Sequence, residues 1–188
     1  MKKLLVSFLF LAGFGFASQA QTGSIFVQGT IGGSFTKYEN DTKRNSFDIR
    51  PYVGYQFNEN WTAGIFGGYE NNTYKPTSGN DQKYTNFSAG VFGRYQLPIS
   101  DKFSFFGQAD LGFGQEKDND SYKANKFGIN VYPGFQYALG KGWGLNFVLS
   151  GIHYDSTKED GADKAESDFG IYLGQGYGFG ISKNFGGK

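Results

Sequence analysis

Large hydrophobic residues fall on odd-numbered positions through eight separate segments, from Ile25 to Phe185. The first segment reads Ile25, Val27, Ile31, Phe35 against Gln28, Thr30, Ser34, Thr36, and the second reads Phe47, Ile49, Val53, Tyr55, Phe57 against Asp48, Arg50, Gln56. A period of two means pleated strands with one apolar face and one polar face. The pattern predicts strands at 23–36, 46–57, 61–70, 84–97, 103–116, 126–139, 143–154 and 168–185. Tyr55-Gln56, Tyr95-Gln96 and Phe135-Gln136 recur at a spacing of 40 residues, each just before a short turn and then Trp61, Phe103 or Trp143. Each repeat is a hairpin plus one longer connection.

The connections alternate in length. Short links fall at 58–60, 98–102 and 140–142, and long polar ones run from Lys37 to Asn45, Asn71 to Lys83, Lys117 to Asn125 and Asp155 to Ser167. An even number of strands with this rhythm predicts an all-β fold, an eight-stranded antiparallel up-and-down transmembrane β-barrel with short periplasmic turns and longer extracellular loops. The odd face would then meet lipid. On that face Tyr55, Phe57, Trp61, Tyr95, Phe103, Tyr137 and Trp143 sit near the turns, and Phe35, Phe47, Tyr69, Phe87, Phe113, Phe127 and Phe169 near the loops. Two such rings form the aromatic girdles of a membrane barrel. The even face is dense in Gly, which weakens a strand unless another group needs the space. A narrow lumen has that need, whereas a solvated sheet face has none.

The chain opens with Lys2 and Lys3, an uncharged apolar run from Leu4 to Phe16, and Ala17-Ser18-Gln19-Ala20. This is the layout of a secretory signal peptide over 1–20, with the barrel domain at 21–188. A retained membrane helix needs about 18 apolar residues or more, and this run stops short. Removing Lys2 and Lys3 from the 18 Lys plus Arg leaves one cation fewer than the 17 Asp plus Glu, a net charge of −1. Such a balance gives no reason to expect nucleic acid as a partner. Cysteine is absent, so disulfides, thiol catalysis and Cys-ligated zinc are excluded. Mean hydropathy is −0.46 while 19% of residues are aromatic, a combination that suits membrane strands and not membrane helices.

In these features the chain resembles the small eight-stranded outer-membrane β-barrel proteins of the porin-like superfamily, the group of outer membrane protein X and the transmembrane domain of outer membrane protein A. The resemblance spans 21–188, and its most specific element is Gly178-Phe179-Gly180-Ile181-Ser182-Lys183-Asn184-Phe185. In the family a last strand of this form is the signal read by the barrel-assembly machinery, which assigns that role to Gly180 and Phe185. Lys183 stands where an aromatic or aliphatic residue is usual, and Gly186-Gly187-Lys188 follow the closing Phe. The resemblance implies a monomer in the bacterial outer membrane, exported through a cleaved signal peptide. It implies contacts with lipid and lipopolysaccharide and a surface ligand at the loops. It also implies a role in envelope structure, surface interaction or limited small-solute passage.

Candidate chemistry is sparse. The even-face charges are Asp48, Arg50, Glu70, Arg94, Asp110, Glu116 and Lys126. Pairing the second and third strands around Glu59 puts Arg50 diagonal to Glu70, while Arg94 and Asp110 share a face some residues apart and need the barrel stagger to meet. Arg50, Glu70, Arg94 and Asp110 are thus expected as a charge-balanced lumenal ion-pair cluster. His153 would lie at the interface, at the end of the seventh strand. An alternative class is a membrane-embedded acyl hydrolase built on His153, because the outer-membrane lipid A deacylase resembles this chain in size and strand number. That class, however, needs a His-x-Ser spacing, and Tyr154 and Asp155 separate His153 from Ser156. A soluble periplasmic β-barrel binding a small apolar ligand is the third alternative. The acidic stretch from Asp155 to Ser167 fails the EF-hand frame, and Gly140-Lys141-Gly142 lacks the rest of a phosphate loop. Neither a cofactor nor a metal is expected.

Overall fold

The computed structural model describes residues 23–38, 42–78, 80–119, 121–172 and 177–186, so the expected signal peptide over 1–20 lies outside the described residues. Among the described residues the predicted segments are each largely strand, with the seventh interrupted at Ser150 and Gly151. In chain order they are β1 (Ser24–Lys37), β2 (Lys43–Gln56), β3 (Trp61–Lys75), β4 (Gln82–Pro98), β5 (Phe103–Lys117), β6 (Lys123–Gly140), β7 (Trp143–Leu149), β8 (Ile152–Glu159), β9 (Glu166–Ile171) and β10 (Tyr177–Phe185). β7 and β8 together form the seventh wall strand, and β9 and β10 the eighth. Neighbours pair antiparallel around the whole circuit, and the barrel closes where Ile25–Thr30 of β1 meet Gly180–Phe185 of β10. Among the described residues, pairing at this seam stops at Thr30 and Gly180.

The odd residues do face outward. Across adjacent strands Val27, Val53, Ile65, Val91, Leu111 and Ile129 form one belt. Ring pairs continue the belt at both rims, with Trp61 against Tyr95 and Phe103 against Tyr137 (centroids 4.9 Å apart in both) on the turn side, and Phe47–Tyr69–Phe87 and Phe113–Phe127 on the other. The short turns are locally determined. The Asn58 side-chain carbonyl accepts from the Asn60 and Trp61 amides, and Gly140-Lys141-Gly142 all take positive φ.

Three features differ from the periodicity. First, the strands run into the long polar stretches: β3 continues through Asn71-Asn72-Thr73-Tyr74, paired with Gln82 to Thr85. Above the membrane a ladder needs backbone partners and no apolar face, so hydropathy alone could not mark where it ends. The connections at that end are still the longer ones. Second, a parity flip divides β7 from β8. Gly134 faces Val148, yet Val131 faces Ile152, so two residues of β6 oppose three in the seventh wall strand. The bulge lies opposite Pro133, which has no N–H to give the ladder, and at Gly151, where a Cβ would come within 2.0 Å of the Val131 carbonyl oxygen. Beyond it the odd residues turn inward, so His153 lies on the lumen side and not, as expected, at the interface, and Tyr154 joins the outer girdle against Phe127.

Third, large aromatic residues also occupy the even face. Phe26, Tyr52, Phe66 and Phe92 form a buried cluster, and Phe106 is fully buried. The glycines make room for these rings: a Cβ on Gly134 would sit 2.3 Å from the Phe106 ring. Because closure leaves few strand edges to fray, the folded protein should resist cold detergent, migrate differently on a gel before and after boiling, and lose that difference only when heated. Identical migration in both lanes would contradict the closed barrel.

Candidate functional site

The lumen is filled by polar and aromatic layers that the hairpins bring to one height. At the turn end, the Gln of each 40-residue repeat points inward. Gln96 donates to Gln136 at 2.7 Å, and Gln56 accepts from Asn184 at 2.9 Å and from Ser24 at 3.3 Å. The repeat thus marks a side-chain layer as well as a strand rhythm, and that was the available signal for it.

Above this layer lies Arg94, 1% exposed. Its Nε donates to Gln108 Oε1 at 2.8 Å, Nη1 to Asn146 at 3.2 Å, and Nη2 to both Gln28 and Gln108 at 2.5 Å. The guanidinium lies over the rings of Phe106 (4.1 Å) and Phe26 (4.8 Å). Gln108 then donates from Nε2 to Asp110 Oδ1 at 2.8 Å, while Asp110 Oδ2 accepts from Tyr52 (2.8 Å) and Tyr132 (3.2 Å). Arg94 and Asp110 therefore belong to one network but do not touch. Gln108 relays between them, because the stagger leaves the two side chains at different heights. Such a buried arrangement spreads the charge over amide dipoles and rings and so lowers the cost of keeping a guanidinium out of water.

Arg50 and Glu70 form no ion pair within 4 Å. The Arg50 guanidinium lies 5.7 Å from the Phe66 ring centroid, toward the Tyr52 and Asp110 layer. Glu70 instead accepts from Asn72 at 2.6 Å and stands across the ladder from Asp48. The register is the predicted one, but the long side chains point apart. Nearer the loops, Lys126 pairs with Glu116 at 2.5 Å. His153 Nε2 is 2.7 Å from Asp168 and its ring stacks on Tyr172. Ser156 lies on the opposite face, across the ladder from Phe127, so the bulge assembles no His153–Ser156 couple. The acidic stretch is strand at its two ends, 155–159 and 166–167, and among the described residues no cluster of acidic or His side chains suits a metal ion.

At the seam, Gly180 pairs with Thr30 and Phe185 with Ile25. Lys183 lies over the rings of Trp143 (5.2 Å) and Phe185 (5.6 Å) and donates to the Lys141 carbonyl, which holds its charge at the turn-side rim.

Several solved structures share this architecture, two of them as follows. The outer membrane protein OprG from Pseudomonas aeruginosa is 14% identical, with 90% of this chain and 99% of that chain covered at a TM-score of 0.54. Neisserial surface protein A (NspA) is also 14% identical, with 86% and 96% covered at 0.50. No curated protein matches the chain in sequence. The family model described as "Outer membrane protein beta-barrel domain" matches residues 8–185. With the lipid-facing belt, the two girdles and the closed antiparallel wall, that match shows that the chain belongs to the outer membrane protein β-barrel family.

Proposed function

We propose that this protein is a non-enzymatic, non-conducting barrel that anchors an ordered rim of extracellular hairpins, serving envelope structure and surface interaction in preference to solute passage. The observation that carries this reading is the layer at mid-barrel: Phe106, Gln108, Asp110 and Asn146, with Arg94 among them, are each no more than 1% exposed. Eight strands enclose a bore that side chains alone can fill, and the burial of this layer supports a plug at mid-barrel. The rim is cross-braced. Asn119 donates to the Asp81 carbonyl at 2.9 Å, Thr42 and Thr77 hydroxyls are 3.3 Å apart, and Tyr84 meets Tyr122 edge-on at 6.3 Å. Such bracing suits a surface that holds its shape for a partner at lipopolysaccharide level. The barrel acts as a monomer, and the machinery that folds it reads Gly180 and Phe185.

Reconstituted in a planar bilayer, the unmodified protein should give at most small, rare conductance steps. Asp110→Ala, which removes the acceptor of Tyr52, Tyr132 and Gln108, should raise their frequency by admitting water. A large, steady, ion-selective current from the unmodified protein would make transport the primary function.

A further inference from the structure

A cavity of about 450 Å³ lies between the mid-barrel layer and the loop end, at the seam where β1 meets the eighth wall strand. Its floor is polar, made by Gln28, Arg50, Tyr52 and Tyr132, and its side is apolar, made by Ile31, Val148, Leu149 and Phe179. Ile31 and Phe179 belong to the outward, lipid-facing set, being 69% and 59% exposed. The same cavity is thus bordered by lumen and membrane residues, which places it across the wall just where pairing of β1 with β10 ends at Thr30. Its size is within the usual range for small-molecule sites, about 300–1,000 Å³.

One group at the floor lacks a counter-charge at contact distance. Arg50 is a half-buried cation with no carboxylate within 4 Å: Asp48 borders the cavity further up, and Asp110 is held by the Tyr52 hydroxyl. Gln28 Nε2, which has no hydrogen-bond partner, is sealed beneath the floor and out of reach of a ligand. A partly desolvated cation without a contacting anion is costly. An anionic head would supply the missing charge, and an alkyl chain would suit the Ile31, Leu149 and Phe179 side.

We propose that this cavity binds a single-chain carboxylate amphiphile from the outer leaflet, with its head on the Arg50 guanidinium and its chain leaving through the seam. Such a site lies above the mid-barrel layer and requires no path through it, so binding and conductance are separate measurements.

The test uses the full barrel in lipid nanodiscs, titrated calorimetrically with octanoate, octanol and octyltrimethylammonium against empty discs. Octanoate should bind saturably at one site per barrel, at least 10-fold tighter than either of the others. Arg50→Gln should weaken octanoate at least 10-fold and leave octanol within 2-fold. Gly178→Leu should abolish binding of both. A Cβ there meets only Val148 at 3.8 Å, so the added side chain enters the cavity without displacing backbone, and the boiled-versus-unboiled gel checks that the variant has folded. Decanoate and dodecanoate should bind no worse than octanoate, since the chain runs out into the bilayer. No saturable heat above empty discs, an octyltrimethylammonium preference, or an unchanged affinity in folded Arg50→Gln would each overturn the assignment. A sharp loss of affinity beyond octanoate would overturn the route through the wall.

Discussion

Arg94→Ala should lower the unfolding free energy of the barrel by about 3–5 kcal/mol, the range for removing one partner from a buried charged network. The change removes hydrogen bonds to Gln28, Gln108 and Asn146 at once and strips two rings of their cation. It also takes from Asp110, 1% exposed, one of the two cations near it and leaves Arg50. Arg94→Lys should recover part of the loss, because an ammonium keeps the charge but cannot reach three amide oxygens in different directions. Urea unfolding in lipid vesicles, followed by the gel shift, measures the difference. A loss of under 1 kcal/mol for Arg94→Ala would mean that water replaces the guanidinium freely and that the mid-barrel layer is not dry.

The second large effect concerns the outer face. Arg placed at Val91 or Ile129 should cost about 2–4 kcal/mol near the bilayer midplane. Both side chains belong to the lipid-facing belt, Val91 between Ile65 and Leu111, and Ile129 between Leu111 and Tyr154. Arg at Ser88 or Asn130, on the lumen face, should cost less, since water and the charges Asp48 and Asp155 lie on that side. The four variants belong in one urea series, where equal costs on both faces would refute the inside–outside assignment.

Most of the wall was legible in the sequence because a strand half in lipid and half in a packed bore must alternate. That constraint is strongest at mid-membrane, and there Arg50 stands diagonal to Glu70 as predicted, while Arg94 lies opposite Gln108 and so closer to Asp110 than the several residues expected. Two things escaped it. Alternation cannot see a bulge, and only Pro133 and Gly151 hinted that His153 would turn inward. Nor does register determine side-chain direction. Arg50 lies diagonal to Glu70 as expected, yet it turns toward Phe66 and the Tyr52 layer because Glu70 is already held by Asn72. The even-numbered aromatics were visible as residues, but whether Phe66 or Phe106 faces a glycine opposite depends on the shear of the closed barrel, which no single strand carries.

The bulge beside Pro133 also affects how this chain can change over time. In a strand that borders two solvents, one inserted or deleted residue exchanges every later side chain between them. Here that exchange has been absorbed at a single point, so the seventh wall strand is two independently framed segments. Sequences from related barrels should be compared across Ser150 and Gly151 in two separate frames. Aligned straight through, a lipid-facing tyrosine such as Tyr154 would be matched with a lumenal histidine such as His153, and a selected feature would look like drift.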